Sequence, residues 1–148
     1  MLKEIKHSFM VYRNGIVADT LRAAGMPYAV IFGLQLPQLN EIARSQQPSA
    51  ALARELWADR RVRESRLLAP MLFPADELQP DEALSMACDV QTREEADILC
   101  FKLLRRLPYA AGLLPDLIEA SGRLSAADSP EAPLAAYCAE ALKRNLAD

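Results

Sequence analysis

Arginine residues dominate the stretch whose side chains offer recognisable chemistry. Five of them fall between residues 54 and 66, and Arg63 and Arg66 share a helix face because they are three positions apart. Such a cluster at an inter-helix turn predicts contacts to the phosphates of nucleic acid. Ion pairs with Glu55, Asp59 and Glu64 are the alternative interpretation. The five are Arg54, Arg60, Arg61, Arg63 and Arg66.

A second basic group lies further along the chain. Lys102, Arg105 and Arg106 fall on one side of a predicted helix. They extend the proposed phosphate-binding surface in one interpretation, and they form an ordinary solvated helix face in the other.

We expect no metal site, no disulfide bond and no nucleophilic catalytic triad in this chain. Cys88, Cys100 and Cys138 are odd in number and lack a CxxC spacing, and His7 is the only histidine. Cys100 and Cys138 stand among apolar residues, which predicts that they pack as small hydrophobes. The sequence therefore predicts no zinc site.

Composition and charge place the chain in a broad class. With 148 residues, 51% of them hydrophobic, it is predicted to form one domain spanning 1–148. The net charge of -3 divides into +4 for residues 1–74 and -7 for residues 75–148, so only the first half favours an acidic partner. No signal peptide and no long apolar run are visible, so we expect a soluble cytoplasmic protein without a membrane partner.

Apolar residues recur at helical spacing along the chain, and prolines stand where these runs begin or end. The pattern predicts an N-terminal helix that is either bent or broken near Asn14-Gly15, a buried connector at 28–34, and a helix opened by Thr92 in a capping box with Glu95. That helix should run to Leu107. The predicted segments are residues 2–21, 36–45, 48–57, 60–73, 80–89, 92–107, 110–121 (closed by Gly122) and 130–145.

About eight helices with short turns predict an all-α fold. We expect an α-α superhelix built from HEAT-like helical hairpins, in which 57–72 forms one hairpin and Trp57 is a core anchor. A compact helical bundle is the alternative.

Two stretches resemble the AlkD-type DNA alkylation repair family, which are DNA glycosylases built from HEAT-like repeats. The first is Phe32-Gly33-Leu34-Gln35-Leu36-Pro37, where a proline opens a short helix. The second is Leu56-Trp57, followed by Arg63-Glu64 and an aliphatic helix. The resemblance covers residues 28–73 well and 90–120 loosely.

This resemblance implies a basic surface that holds DNA and removal of alkylated bases without a metal or cofactor. The family's catalytic aspartate corresponds to Asp97, which would stabilise positive charge on the sugar as the base departs. The family's neighbouring tryptophan has no counterpart, since Thr92 and Arg93 occupy that stretch. Asp97 also suits the first turns of a helix for purely structural reasons.

Two functions therefore remain open at the level of sequence. One is a short AlkD-like protein that contacts the phosphate backbone of DNA and has weak or no glycosylase activity. The other is a non-catalytic helical-repeat module that binds a protein partner or forms a homodimer.

Overall fold

The computed structural model describes residues 1–147, which form two compact units that divide after Pro74. The regular structure of these residues is entirely helical, with nine α-helices and two short 3₁₀ turns and no β-strand, which confirms the all-α prediction. The first unit contains α1 (Leu2–Tyr12), α2 (Gly15–Ala23), α3 (Leu36–Arg44), α4 (Ala50–Ala58) and α5 (Arg63–Leu72). The second contains α6 (Pro80–Ala87), α7 (Arg93–Lys102), α8 (Ala110–Ala126) and α9 (Ala132–Ala147).

The N-terminal helical segment divides at Asn14, which accounts for one helix more than predicted. The Asn14 side chain accepts hydrogen bonds from the amides of Ile16 and Val17, and so caps α2. Its own amide donates to the carbonyl of Phe32 at 2.8 Å. The break therefore also fastens the start of α2 to the connector between α2 and α3.

The predicted hairpin is formed by α4 and α5, which pack against each other. Its start differs from the prediction: Pro48 precedes the helix, and the hydroxyl of Ser49 caps it by accepting from the amide of Leu52. The turn into α5 pairs with the connector, because Val30 exchanges backbone hydrogen bonds with the flanks of Val62 in a single parallel bridge. The buried connector predicted at 28–34 is thus tied to the hairpin.

The second unit is built on α7, α8 and α9. Thr92 caps α7 as predicted, accepting from the amide of Glu95 at 3.1 Å, and the Glu95 carboxylate accepts from the amide of Gln91. The helix ends at Lys102, five residues earlier than predicted. A 3₁₀ turn continues from Leu104 to Arg106, and the three leucines of this stretch, Leu103, Leu104 and Leu107, are buried.

The helix α8 passes through Gly122, so the prediction that this glycine ends the helix is wrong. The helix reaches Ala126, and the chain turns instead at Asp128, whose φ of 54° lies in the left-handed region. Both α7 and α8 pack against α9. The packing of α4 against α5 and of α8 against α9 agrees with a helical-repeat fold, while the superhelix and the single domain stay predictions.

Candidate nucleic-acid interface

The fold buries two arginines of the cluster at the α4–α5 turn and leaves the other three exposed. Arg63 and Arg66 are 4% and 0% exposed, so the predicted basic rim is wrong for these two residues. They lie on the face of α5 that packs into the first unit. Guanidinium groups at this depth cannot reach the phosphates of a bound nucleic acid.

Arg63 and its neighbour Glu64 hold the connector. The fully buried Glu64 carboxylate accepts from the amides of Phe32 and Gly33 at 3.0 and 3.1 Å, and from Nη1 of Arg63 at 2.7 Å. The same Arg63 nitrogen donates to the carbonyl of Leu34 at 2.9 Å. The two stretches that resemble the AlkD-type family are therefore joined by a buried ion pair and its hydrogen bonds.

Gly33 is required at this junction for two reasons. Its φ of +88° lies where side chains are disfavoured, and a Cβ atom would collide with the carbonyl oxygen of Asn14. The connector thus approaches the start of α2 as closely as a backbone without a side chain permits.

Trp57 and Arg66 form a second buried contact in the hairpin. The guanidinium carbon lies 3.6 Å from the centre of the indole rings, and Nη1 donates to the Trp57 carbonyl at 2.6 Å. With only 9% of its surface exposed, Trp57 is a core residue. The placement agrees with the structural role predicted for it.

The remaining members of the cluster are exposed. Arg60 and Arg61 lie in the turn between α4 and α5, and Arg54 lies on α4 with its guanidinium 5.1 Å from the ring centre of Phe73. These three stay candidate phosphate contacts in the first unit.

Two members of the second basic group, Lys102 and Arg105, lie close to an exposed aromatic ring that was not among the predicted site residues. Phe101 is 47% exposed, and the guanidinium carbon of Arg105 lies 3.9 Å from the centre of its ring. Nζ of Lys102 lies 5.7 Å from the same centre. Arg106 is exposed and donates from Nε to the Lys102 carbonyl at 2.6 Å. We call these four residues the Phe101 patch.

The three cations of the Phe101 patch have no carboxylate partner in the part of the chain that the structure describes. Among residues 1–147, no acidic side chain forms an ion pair with Lys102, Arg105 or Arg106. This is notable in a half of the chain with a net charge of -7. The patch is therefore a local concentration of unpaired positive charge next to an apolar ring.

Asp97 lies on the exposed side of α7, beside α9. The Tyr137 hydroxyl donates to its two carboxylate oxygens at 3.0 and 3.1 Å, and Nη2 of Arg144 lies 3.8 Å from Oδ1. The guanidinium of Arg93 lies 5.0 Å from the centre of the Tyr137 ring. Half of the Asp97 side chain remains in contact with solvent, since its exposed fraction is 51%.

The cysteines are free thiols, as predicted. Cys100 and Cys138 are fully buried with their sulfur atoms 3.7 Å apart. The hydrogen bond with Cys100, followed by burial, raises the pKa of Cys138 well above its ordinary value. Cys88 lines a cavity of about 390 Å³ between α6 and α8, and burial raises its pKa as well. Protonated thiols are poor nucleophiles, so this arrangement does not favour cysteine catalysis.

Comparison with known family models, curated proteins and solved structures finds no match to this chain. The described residues contain no group of three or more potential metal ligands. Over the same range, every helix is too short or too polar to cross a membrane.

Proposed function

We propose that this protein binds nucleic acid through the phosphate backbone and has weak or no alkylbase glycosylase activity. The observation that carries the proposal is the Phe101 patch, where three cations have no acidic partner among residues 1–147 and two of them, Lys102 and Arg105, lie close to an exposed ring. The resemblance to AlkD-type proteins supports the same class of partner.

Unpaired cations suit a phosphate backbone for a physical reason. A cation already paired with a carboxylate must break that pair before it binds phosphate, whereas Lys102, Arg105 and Arg106 have no such pair to break. Each phosphate that they neutralise releases condensed counterions, which drives association at low salt. Arg60 and Arg61 offer further exposed charge in the first unit.

The surroundings of Asp97 argue against efficient base excision. A carboxylate stabilises a developing sugar cation best in a site that excludes water, because water screens the interaction. Asp97 is half exposed, and the Tyr137 hydroxyl donates to both of its oxygens. Its charge is therefore screened and partly engaged before any substrate arrives.

The proposal is tested by fluorescence anisotropy with labelled oligonucleotides at low salt. A variant carrying Lys102→Gln, Arg105→Gln and Arg106→Gln is expected to lose most of the affinity. The matched control neutralises three cations elsewhere on the exposed surface: Lys3, Arg44 and Lys143. Equal losses in both variants would show that only net charge matters, and would contradict a role for the patch.

A base-release assay on methylated duplex DNA tests the second part of the proposal. Wild-type protein and Asp97→Asn are expected to release the same small amount of base, or none. Rapid release by the wild type that Asp97→Asn abolishes would overturn the statement about activity.

A protein partner is the second candidate function, and one observation favours it. Met10, Val11 and Ile16, near the junction of α1 and α2, are 47, 65 and 81% exposed. Exposed apolar groups near one another are typical of protein-binding surfaces, including those of homodimers. Size exclusion with light scattering checks the homodimer, which Ile16→Ser should weaken. A monomer at every concentration would count against it.

A further inference from the structure

The ring of Phe101 is the feature of the patch that phosphate binding alone does not explain. Backbone contacts need only the three cations, yet the apolar ring stands 47% exposed among them at the end of α7. Leaving an aromatic ring in water forgoes the stabilisation that burial brings. A surface that binds only phosphates would gain nothing from it.

The Arg105 guanidinium makes the ring a stacking platform. At 3.9 Å from the ring centre, the guanidinium carbon is in van der Waals contact with the ring. Nζ of Lys102 lies over the same ring at 5.7 Å from its centre, a distance that leaves the ammonium group able to contact a neighbouring phosphate. Aromatic rings and guanidinium planes are the groups on which unpaired bases stack.

Duplex and single-stranded nucleic acid differ in what they offer to such a platform. In a duplex the base faces are covered by neighbouring bases, so Phe101 would meet only sugars, phosphates or groove edges. In a single strand an unpaired base exposes its face. We propose that the Phe101 patch prefers single-stranded nucleic acid, stacking one unpaired base on Phe101 and Arg105 while Lys102 and Arg106 contact the adjoining phosphates. This inference rests on the proposed function and names its substrate class.

The net charge of this half of the chain acts in the same direction. Residues 75–148 have a net charge of -7 with the patch included. Duplex DNA concentrates about one charge in every 1.7 Å of its axis, which is denser than a single strand. The net negative charge of this half therefore opposes a duplex more strongly than a single strand.

The test measures anisotropy at low salt with a labelled single-stranded oligothymidine, its RNA equivalent, and a duplex of the same length. Wild-type protein should bind both single strands more tightly than the duplex. Phe101→Ala should weaken single-strand binding by about five-fold to a hundred-fold, the range for losing one stacked base, and change duplex binding less than about two-fold. Phe101→Tyr, which keeps a ring, should restore the preference.

Ile118→Ala serves as the matched control, since it removes another exposed apolar side chain, 52% exposed, on α8. It should leave all affinities unchanged. Equal binding of duplex and single strand, or indifference to Phe101→Ala, would overturn the inference and leave the proposed function intact. Failure of all three probes to bind would overturn the proposed function and this inference with it.

Discussion

Replacing Glu64 by glutamine is expected to destabilise the first unit sharply. The carboxylate accepts two backbone amides of the connector and one Arg63 nitrogen, and none of its surface is exposed. A glutamine offers one oxygen and one NH₂ group, so it points a donor at one of these donors. It also removes the negative charge that Nη1 of the buried Arg63 contacts at 2.7 Å.

The magnitude follows from these contacts. Hydrogen bonds to a charged group contribute about 1.5–3 kcal/mol each, and removing one partner of a buried ion pair costs about 3–5 kcal/mol. Because these contributions overlap, we expect Glu64→Gln to lower the free energy of unfolding by about 3–5 kcal/mol. Glu41→Gln, which breaks the exposed ion pair with Arg44, should cost at most about 1 kcal/mol.

The assay is urea unfolding followed by tryptophan fluorescence. Trp57 is the only tryptophan and is buried in the hairpin, so its emission reports on the first unit alone. The expected result is a large shift of the midpoint for Glu64→Gln and almost none for Glu41→Gln. Similar small shifts in both variants would refute the assignment of Glu64 as the residue that holds the connector.

Three further results are expected. Gly33→Ala should destabilise the protein by about 2–4 kcal/mol, through its positive φ and the collision with the Asn14 carbonyl, as measured by the same urea assay. Gly122→Ala should instead stabilise the second unit by about 0.5–1 kcal/mol, because the site is within α8 and open; urea unfolding followed by far-UV circular dichroism measures this, and loss of stability there would contradict the course of that helix. Because the pKa of Cys138 is raised in the folded state, its contribution to stability is fully present below the ordinary thiol pKa of 9.0. This contribution is lost as the pH rises above that value. Melting temperatures between neutral and alkaline pH should therefore fall further for the wild type than for Cys138→Ala, and identical profiles would argue against a raised pKa of Cys138.

The features of this fold that could be predicted from the sequence are those that depend on residues close together in the chain. The division at Asn14 and the Thr92 cap arise from side chains bonding amides two or three positions away, so local spacing reveals them. The end of α8 was mispredicted because Gly122 resembles a terminating glycine, while the turn is made by Asp128 in the left-handed region. A glycine within a helix lowers its stability without ending it.

The basic cluster shows why exposure was harder to predict. Periodicity correctly places Arg63 and Arg66 together, but it does not say whether their face is exposed. That is decided by partners far along the chain, since Glu64 bonds the amides of Phe32 and Gly33 more than thirty residues away. An arginine buried with such partners has the same local pattern as an arginine on the surface.

Some residues of the candidate site could be predicted from the sequence. The three cations of the Phe101 patch were identified by their spacing, but Phe101 was not, because an aromatic in an apolar run is usually buried. The bond from Tyr137 to Asp97 spans forty positions, and no local signal indicates it. The exposure of the Phe101 ring and the pairing of Asp97 with Tyr137 therefore depend on tertiary packing, which local spacing does not reveal.

The salt dependence of binding tests the central claim most directly. The logarithm of the single-strand association constant, plotted against the logarithm of salt concentration, has a slope of about -0.7 for each phosphate neutralised. Neutralising Lys102, Arg105 and Arg106 should make the slope shallower by about 2, whereas the matched control at Lys3, Arg44 and Lys143 should leave it unchanged. Identical slopes for the wild type and the patch variant would contradict the account.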